Sequence, residues 1–270
     1  MRMILCPLAS GSSGNSTLVS FGGLRLLVDM GISAGRVTKS LHELGLSPLD
    51  LSGILITHEH VDHIRGLDVF CRKNSVPLFA NEATFNASRS RFPSLPESLL
   101  NRFETGQDFY IDDVNVMPFP IPHDAMDPVG FRFTQNALSC AVATDIGHLN
   151  EIWLSAVEGV QALVLESNHD VGMVEAGNYP AHLKRRILSR KGHLCNEDCA
   201  RAVIRLWKRG TQSVILAHLS GENNLPELAY STVCGLLNEA GITPGEDIIV
   251  TVARRDGISD MVALDDGTVG

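Results

Sequence analysis

One short stretch of the sequence concentrates side chains that bind metal ions. Residues 54–68 begin with three apolar residues, as expected for the end of a buried strand, and then bring together His58, His60, Asp62 and His63. In an extended backbone, side chains two positions apart point the same way, so His58 and His60 can share one ion. Asp62 and His63 follow on a predicted turn and can face a second ion. Such donors suit zinc, with manganese and iron as alternatives.

A solvated, histidine-rich turn is the alternative interpretation of this stretch. A single His-x-His pair occurs easily by chance, whereas the full His-x-His-x-Asp-His string directly after an apolar run does not. We therefore expect a metal site at the edge of a sheet, where a substrate can reach it.

The string His58-Glu-His-Val-Asp-His63 resembles the signature of the metallo-β-lactamase fold superfamily. That superfamily carries an aspartate on an earlier strand and, further along, a lone histidine, a lone aspartate and a last histidine. The resemblance implies an α/β fold, a four-layer αβ/βα sandwich, over residues 1–270 as one domain. Each place is filled here after an apolar run, by Asp29, His123, Asp145 and His218.

The resemblance also implies two divalent metal ions as cofactors, Zn²⁺ or Mn²⁺ with iron as an alternative. Two ions about 3.5–4 Å apart activate a water and clamp the attacking and leaving oxygens of a displacement. Asp29 and Glu166 are expected to hydrogen-bond the ligands rather than to bind metal. The seven implied ligands are His58, His60 and His123 for the first ion, Asp62, His63 and His218 for the second, and Asp145 as the bridge.

Two later stretches resemble nucleases of this fold. Residues 192–195, Gly-His-Leu-Cys, and 214–220, Val-Ile-Leu-Ala-His-Leu-Ser, resemble a loop and a strand end of tRNA 3′-processing endonucleases. The histidine of that loop is taken as the proton donor to the leaving oxygen. His193 is therefore predicted to be catalytic, together with Asp62. The alternatives are that His193 only introduces a helix, or that His169 is the donor.

Charge is distributed unevenly along the chain. The formal net charge is −9, which argues against indiscriminate binding of nucleic acid. Residues 184–209 nevertheless carry nine basic side chains against two acidic ones, while the rest carries 13 and 29. A basic face on an acidic body is typical of a polyanion site, and a solvated helix face is the alternative. The predicted phosphate or nucleic-acid contacts are Ser12, Asn15, His169, Lys184, Arg185, Arg186 and Ser220.

Longer motifs narrow the resemblance to the YycJ (WalJ) group of bacterial nucleases. These motifs include the small-residue loop 9–16, the strand end 166–170 and the segment 216–224. The group is regarded as DNA exonucleases that work from 5′ ends, so the resemblance implies phosphodiester hydrolysis with DNA as partner. Two alternatives stay open: another hydrolase on the same site, such as a small phosphodiesterase, an RNA nuclease or a glyoxalase-like thioesterase, and a nucleic-acid-binding regulatory module.

The remaining features concern location and elements. The six cysteines form no C-x-x-C pair, and no apolar run approaches membrane-spanning length, so we expect reduced thiols, a cytoplasmic protein and no membrane partner. The oligomeric state cannot be read from the sequence. Periodicity predicts mixed α and β structure, with helices over 66–74 and 197–208 and a last strand over 248–252.

Overall fold

The computed structural model describes residues 1–93 and 95–266, in which fourteen strands form two seven-stranded sheets. The strands are β1 (Arg2–Ala9), β2 (Ser16–Phe21), β3 (Leu24–Val28), β4 (Gly53–Leu55), β5 (Leu78–Ala80), β6 (Leu100–Arg102), β7 (Phe109–Ile111), β8 (Val114–Pro120), β9 (Val129–Gln135), β10 (Leu138–Ala143), β11 (Ala162–Glu166), β12 (Ser213–Ala217), β13 (Ile249–Val252) and β14 (Val262–Asp265).

The helices follow the strands in each half of the chain. They are α1 (Ala34–Glu43), α2 (Val61–Ile64), α3 (Leu67–Asn74), α4 (Glu82–Ser88), α5 (Glu151–Ala156), α6 (Val171–Ala176), α7 (Ala181–Ile187), α8 (Asn196–Trp207) and α9 (Pro226–Glu239). Side-chain caps fix several of their starts. The Ser33 side chain accepts a hydrogen bond from the backbone N–H of Arg36 and so caps the start of α1.

The two sheets share one plan. The first has the order β14-β1-β2-β3-β4-β5-β6, and the second has the order β13-β12-β11-β10-β9-β8-β7. Strands β1 to β3 and β7 to β10 are antiparallel to their neighbours. Strands β3 to β6 and β10 to β13 are parallel. Each parallel half needs crossover connections, and these supply the helices.

Alternation along the central strands produces the four layers. Met3 and Leu5 of β1 belong to the apolar cluster between the sheets, which also holds Phe131 of β9. Cys6, the next residue of β1, belongs to a second cluster under α1 and α3, together with Val37. A third cluster packs the second sheet against α5, α8 and α9. Both faces of each sheet are therefore covered, which confirms the αβ/βα sandwich.

The structure adds two elements to those expected from the sequence, and one prediction is wrong. The strand over 248–252 is not the last one, because β14 follows it and pairs antiparallel with β1. The helix expected over 66–74 is confirmed as α3, but the short helix α2 precedes it, at Val61–Ile64, where the sequence indicated only a turn. No helix among the described residues is both long and apolar enough to cross a membrane.

Candidate metal centre

The predicted ligands lie beyond the carboxyl ends of the strands, at one edge of the sheets. Asp29 directly follows β3, and His58 follows β4 after two residues. His123 follows β8, Asp145 follows β10, and His218 directly follows β12. The carboxyl ends of parallel strands meet at the same edge, so five stretches that are distant in sequence converge there.

Three of these residues adopt a left-handed backbone. The φ angles are +62° at Asp29, +62° at Asp145 and +56° at His218. This conformation is unfavourable for residues that carry a Cβ atom, and it is typical of sites where surrounding contacts enforce it. At each position it turns the chain sharply at the end of its strand.

His58, His60 and His123 form the first group of candidate ligands, with one nitrogen of each within 4.8 Å of the others. Nδ1 of His123 lies 3.1 Å from the carbonyl oxygen of Gly192, and Nδ1 of His58 lies 3.0 Å from Oγ1 of Thr57. These contacts orient both rings through Nδ1 and leave Nε2 for a metal ion. Nε2 of His58 is buried and has no hydrogen-bond partner among the described residues, as expected of a metal donor.

Asp62, His63 and His218 form the second group. Oδ2 of Asp62 lies 3.5 Å from Nε2 of each histidine. Asp29 holds the ring of His63 in this group, because its Oδ2 accepts a 2.7 Å hydrogen bond from Nδ1 of His63. The Asp29 carboxylate also accepts hydrogen bonds from the backbone N–H and the hydroxyl of Thr57. It therefore ties the end of β3 to the histidine loop.

Asp145 lies between the two groups. Its Oδ2 is 3.2 Å from Nε2 of His63, and its Oδ1 is 3.7 Å from Nε2 of His123 and 3.6 Å from Nε2 of His218. Oδ2 of Asp145 and Nε2 of His218 are both buried, and neither forms a well-aligned hydrogen bond with a described residue. Buried polar atoms are nearly always satisfied. These donor atoms therefore fit divalent ions, with Asp145 placed to bridge.

The electrostatics of the site are those of closely packed acids and imidazoles. Burial and the neighbouring His63 lower the pKa of His58 well below its ordinary value. Burial also lowers the pKa of His218, but Asp145, Asp62 and Glu166 outweigh it and raise that pKa to about 10. Burial raises the pKa of Asp145, whereas His218 and His63 hold it well below its ordinary value. The carboxylates are thus ionised and attract cations.

Glu166 belongs to a further group of possible ligands, with Asp145, His193 and His218, and hydrogen-bonds both histidines. It is fully buried at the end of β11, and its Oε1 accepts hydrogen bonds from Nδ1 of His193 at 2.9 Å and Nδ1 of His218 at 2.8 Å. Its Oε2 accepts from the backbone N–H groups of Ile146 and Leu194. Both oxygens are therefore engaged, and Nε2 of His193 is left for the cavity. Burial raises the pKa of Glu166, but His193 and His218 lower it to about 2.

A cavity of about 240 Å³ opens over the two ligand groups. His193, with an 18% exposed side chain, lines it, whereas His169 does not and is almost fully buried. This placement favours His193 over His169 as a group that reaches a substrate. The lining residues are Ser12, His60, Asp62, His123, Asp145, Asn168, Tyr179, Leu183, Arg186, Ile187, His193, His218 and Ser220.

The structure separates the predicted phosphate contacts into two kinds. Ser12, Ser220 and Arg186 line the cavity. Asn15 does not; its side chain accepts from the N–H of Gly11 and contacts Nε2 of His63, so it braces the loops around the ligands. Arg186 is not a free cation, because its guanidinium forms a two-point ion pair with Asp124.

Several cations of the basic stretch 184–209 have partners within the protein. On α8, Arg201 pairs with Asp198, and Arg205 pairs with both Glu151 and Glu158. On α7, Lys184 donates to the backbone carbonyl of Glu175 and does not line the cavity. Arg185 is exposed and also stays outside the cavity lining. Arg201 is therefore paired within α8, whereas the acids that pair with Arg205 come from about fifty residues earlier in the sequence.

Some site residues were missed by the sequence interpretation. Thr57 joins Asp29 to the histidine loop, and Asn168 lines the cavity and donates to the carbonyl oxygen of His218. Leu183 and Ile187 of α7 form an apolar part of the lining. The position of Thr57 immediately before the motif was a usable signal. Nothing local in the sequence indicates that α7 folds over the metal edge.

Comparisons with known proteins agree with this architecture. The model of the β-lactamase superfamily domain matches residues 25–219. Exodeoxyribonuclease YycJ of Bacillus anthracis is 42% identical over 247 residues, which cover 91% of this chain and 93% of that protein. Exodeoxyribonuclease WalJ of Streptococcus pneumoniae serotype 2 is 40% identical over 259 residues, 95% of this chain and 96% of that protein.

A solved structure shows the same fold at low sequence identity. The metallo-β-lactamase fold protein YhfI of Bacillus subtilis has a TM-score of 0.71 and 14% identity, with 96% of this chain and 99% of that chain covered. The match supports the fold alone, whereas the curated relatives cover nearly the whole sequence. This chain belongs to the β-lactamase superfamily, as a hydrolase of the metallo-β-lactamase fold, and within it to the family that includes the YycJ and WalJ proteins.

Proposed function

We propose that this protein is a two-metal DNA exonuclease that hydrolyses phosphodiester bonds from 5′ ends. The observation that carries the proposal is the pair formed by Glu166 and His193 beside the ligand groups. Glu166 holds Nδ1 of His193 and leaves the opposite nitrogen in the cavity. A proton donor at this place suits the departure of a sugar oxygen, which is a poor leaving group.

In this proposal the two groups of donors hold two divalent ions, Zn²⁺ or Mn²⁺ with iron as an alternative. The support is the set of buried donor atoms that lack hydrogen-bond partners among the described residues, contributed by His58, Asp145 and His218. The proposed ligands are His58, His60 and His123 for one ion, Asp62, His63 and His218 for the other, and Asp145 for both.

Bound ions supply Lewis acidity, an activated water and charge compensation for the phosphate. The chain supplies the rest. Burial raises the pKa of Asp62, but His63 and His218 hold it well below its ordinary value, so Asp62 stays ionised and can orient a water. His193 protonates the leaving oxygen through Nε2. Glu166 keeps that nitrogen aimed into the cavity and stabilises the ring while it is charged.

The proposed substrate rests on the relatives and on the shape of the site. Two relatives that cover more than nine-tenths of this chain are named exodeoxyribonucleases. The cavity is partly enclosed by Tyr179, Leu183 and Ile187, which suits a strand end better than the middle of a folded nucleic acid. The 5′ direction is carried over from the group that the motifs resemble.

A cytoplasmic location is part of the same proposal. All six cysteines are free thiols, and five of them are buried. Unpaired thiols are typical of a reducing compartment, and DNA ends occur in the bacterial cytoplasm.

The decisive experiment compares substrates under one set of conditions. Purified protein is loaded with Mn²⁺ or Zn²⁺ and incubated with end-labelled single- and double-stranded DNA and RNA, beside bis-p-nitrophenyl phosphate and a generic thioester. We expect mononucleotides released from the 5′ end of DNA and no release by His58→Ala/His60→Ala. Faster thioester turnover than DNA turnover would overturn the proposal, as would binding of DNA without any hydrolysis.

A further inference from the structure

Two small-residue loops meet at the rim of the cavity. Ser12 and Ser220 both line it, and each is adjacent to a glycine: Gly11 precedes Ser12, and Gly221 follows Ser220. The loops are in close contact: a Cβ atom at Gly11 would lie 3.2 Å from the carbonyl oxygen of Leu219. The rim is therefore built without side chains at two adjoining positions.

The guanidinium of Arg255 occupies the space that these glycines leave. A Cβ atom at Gly221 would lie 2.3 Å from Nη1 and 2.8 Å from Cζ of Arg255, and one at Gly11 would lie 3.7 Å from Nε. A side chain at position 221 would have to displace the guanidinium. The arginine is thus seated against the backbone of both loops, one residue from each serine that lines the cavity.

The guanidinium of Arg255 is exposed to solvent. It forms no hydrogen bond, and no ion pair within 4 Å, with a residue of the described ranges, although the carboxylate-bearing Glu222 is the chain neighbour of Gly221. Nearby arginines differ: Arg36 pairs with Asp256, and Arg254 lies 3.9 Å from Asp260. A guanidinium carries five N–H donors in a fixed geometry that matches phosphate oxygens. Those of Arg255 remain available for an anion.

An aromatic side chain of the cavity lining lies within electrostatic range of Arg255. Tyr179 lines the cavity and is half buried. Burial and the Glu222 carboxylate raise its pKa, while the positive charge of Arg255 acts in the opposite direction. An aromatic ring in the cavity and an exposed guanidinium at its rim together offer a stacking surface for a base and a contact for a phosphate.

We infer that Arg255 binds a second phosphate of the substrate, in the nucleotide next to the one whose phosphate is cleaved. This inference rests on the proposed function. Gly221 is three residues from His218, a span of at most about 10 Å along the chain. A strand carries one phosphate per about 3.4 Å of duplex axis, so neighbouring phosphates fall within this range. Ser12 and Ser220 supply hydroxyls between the two positions.

The test compares Arg255→Ala with Arg254→Ala, a matched loss of charge one residue away. Affinity for a fluorescent single-stranded oligonucleotide is measured by anisotropy at several salt concentrations, and turnover is measured on the same oligonucleotide and on bis-p-nitrophenyl phosphate. We expect Arg255→Ala to raise Kd and KM for the oligonucleotide about tenfold and to reduce the salt slope by about one. On bis-p-nitrophenyl phosphate, which has no second phosphate, the loss should be much smaller. Arg255→Lys should recover part of the affinity.

The subsite and the exonuclease assignment fail separately. Equal Kd values and salt slopes for Arg255→Ala and Arg254→Ala would overturn the subsite, whatever the turnover. Equal losses on the oligonucleotide and on bis-p-nitrophenyl phosphate would also overturn it, because they would mean a disturbed reaction centre. Hydrolysis of bis-p-nitrophenyl phosphate without hydrolysis of DNA by the wild type would overturn the exonuclease assignment, and the affinity comparison would still decide the subsite.

Discussion

His193 occupies a different chemical position from the histidines around it. Glu166 engages its Nδ1, and the ring lines the cavity. Proton donation typically contributes about 10²–10⁴ in rate, so we expect His193→Ala to keep its metal and lose a factor of this order in kcat on DNA. On bis-p-nitrophenyl phosphate, whose leaving group departs without a proton, the loss should be far smaller. Kinetics on both substrates and elemental analysis check this.

The control for that variant is His182→Ala, which removes an exposed histidine of α7 that does not line the cavity. It should leave both rates unchanged. Loss of metal, or equal losses on the two substrates, would show that His193 is not the proton donor. The assignment would then pass to His169.

Glu166 links the proton donor to a proposed ligand, so its removal should show two defects. In Glu166→Gln the amide can no longer accept from both the histidine rings and the backbone N–H groups of Ile146 and Leu194. Substitution of such a supporting group typically costs 10–100-fold in metal affinity. We expect a loss of this order in a competition titration with a chelator, together with a lower kcat at saturating metal. Unchanged metal affinity would show that Glu166 does not support His218.

The ligands could be predicted at this scale because their signal is local. Four of them fall within six residues, and the others follow apolar runs that end as strands. The role of Thr57 and the exposed charge of Arg255 depend on contacts with residues far along the chain, which spacing does not encode.

Among the elements, the loop after β3 and the histidine motif pack backbone to backbone. A Cβ atom at Gly31 would lie 1.5 Å from the carbonyl oxygen of Asp62, and the N–H of Asn15 donates to the same oxygen. We expect Gly31→Ala to displace Asp62 and His63, to lower the free energy of unfolding by about 1–3 kcal/mol and to weaken metal binding. Thermal unfolding with and without metal measures both effects.

Gly35→Ala is the matched control for that variant. Gly35 is exposed in α1, and a Cβ atom there meets nothing within 4 Å. Alanine favours a helix over glycine, so stability should be unchanged or rise by up to about 1 kcal/mol. Equal stability of the two variants would contradict the close packing at Gly31.

The two basic helices should differ in their contribution to DNA binding. Arg185 on α7 is exposed, and it has no ion-pair partner among the described residues, whereas Arg201 on α8 pairs with Asp198. We expect Arg185→Glu to weaken binding of all DNA sequences and to flatten the salt dependence, and Arg201→Glu to change little. Anisotropy titrations between low and physiological salt compare them. Equal effects would restore a continuous basic face.

Helical spacing alone could not separate these two helices. Arg201, Arg205 and Lys208 recur as one helix face in the sequence, but the acids that neutralise Arg205 come from α5 and the turn after it. Ion pairs between residues about fifty positions apart depend on the tertiary structure, so a count of charges along the sequence does not detect them.

For the molecule as a whole, buried thiols should make stability fall at alkaline pH. Burial raises the pKa of Cys6 to about 11 and of Cys71 to about 12, and it raises those of Cys140 and Cys199 further. In the unfolded chain a thiol ionises near pH 8.5. The folded state therefore binds more protons above that pH, and its stability is lost as pH rises from about 8.5 towards the folded pKa.

Each such thiol should lower the free energy of unfolding by roughly 1.4 kcal/mol at one unit above its unfolded pKa. Urea unfolding at pH 7.5 and 9.5 measures the difference. Cys71→Ala removes one titrating group, so its loss between the two pH values should be smaller than that of the wild type. A loss equal to that of the wild type would show that other groups dominate.

The overall architecture was predictable only through resemblance. Alternation and apolar runs indicated mixed α and β structure, since strands with both faces covered show little period-two contrast. The prediction of a four-layer sandwich came from the order of the ligand positions along the chain, which resembles that of the superfamily. The pairing of β14 with β1 could not be seen locally, because it joins the two ends of the described chain and Val262–Asp265 is only partly buried.

At Asp29, Asp145 and His218 the backbone is left-handed, so stability favours glycine there whereas activity favours the present side chains. An L-residue in that conformation costs about 1–2 kcal/mol, which glycine avoids. Replacement by glycine would relax the chain and delete a supporting acid or a proposed ligand. Proteins of this fold that have lost catalysis and are selected only for thermal stability should therefore acquire glycine at these three positions first. The residues at these positions would then indicate whether a protein of this fold still uses its metal site.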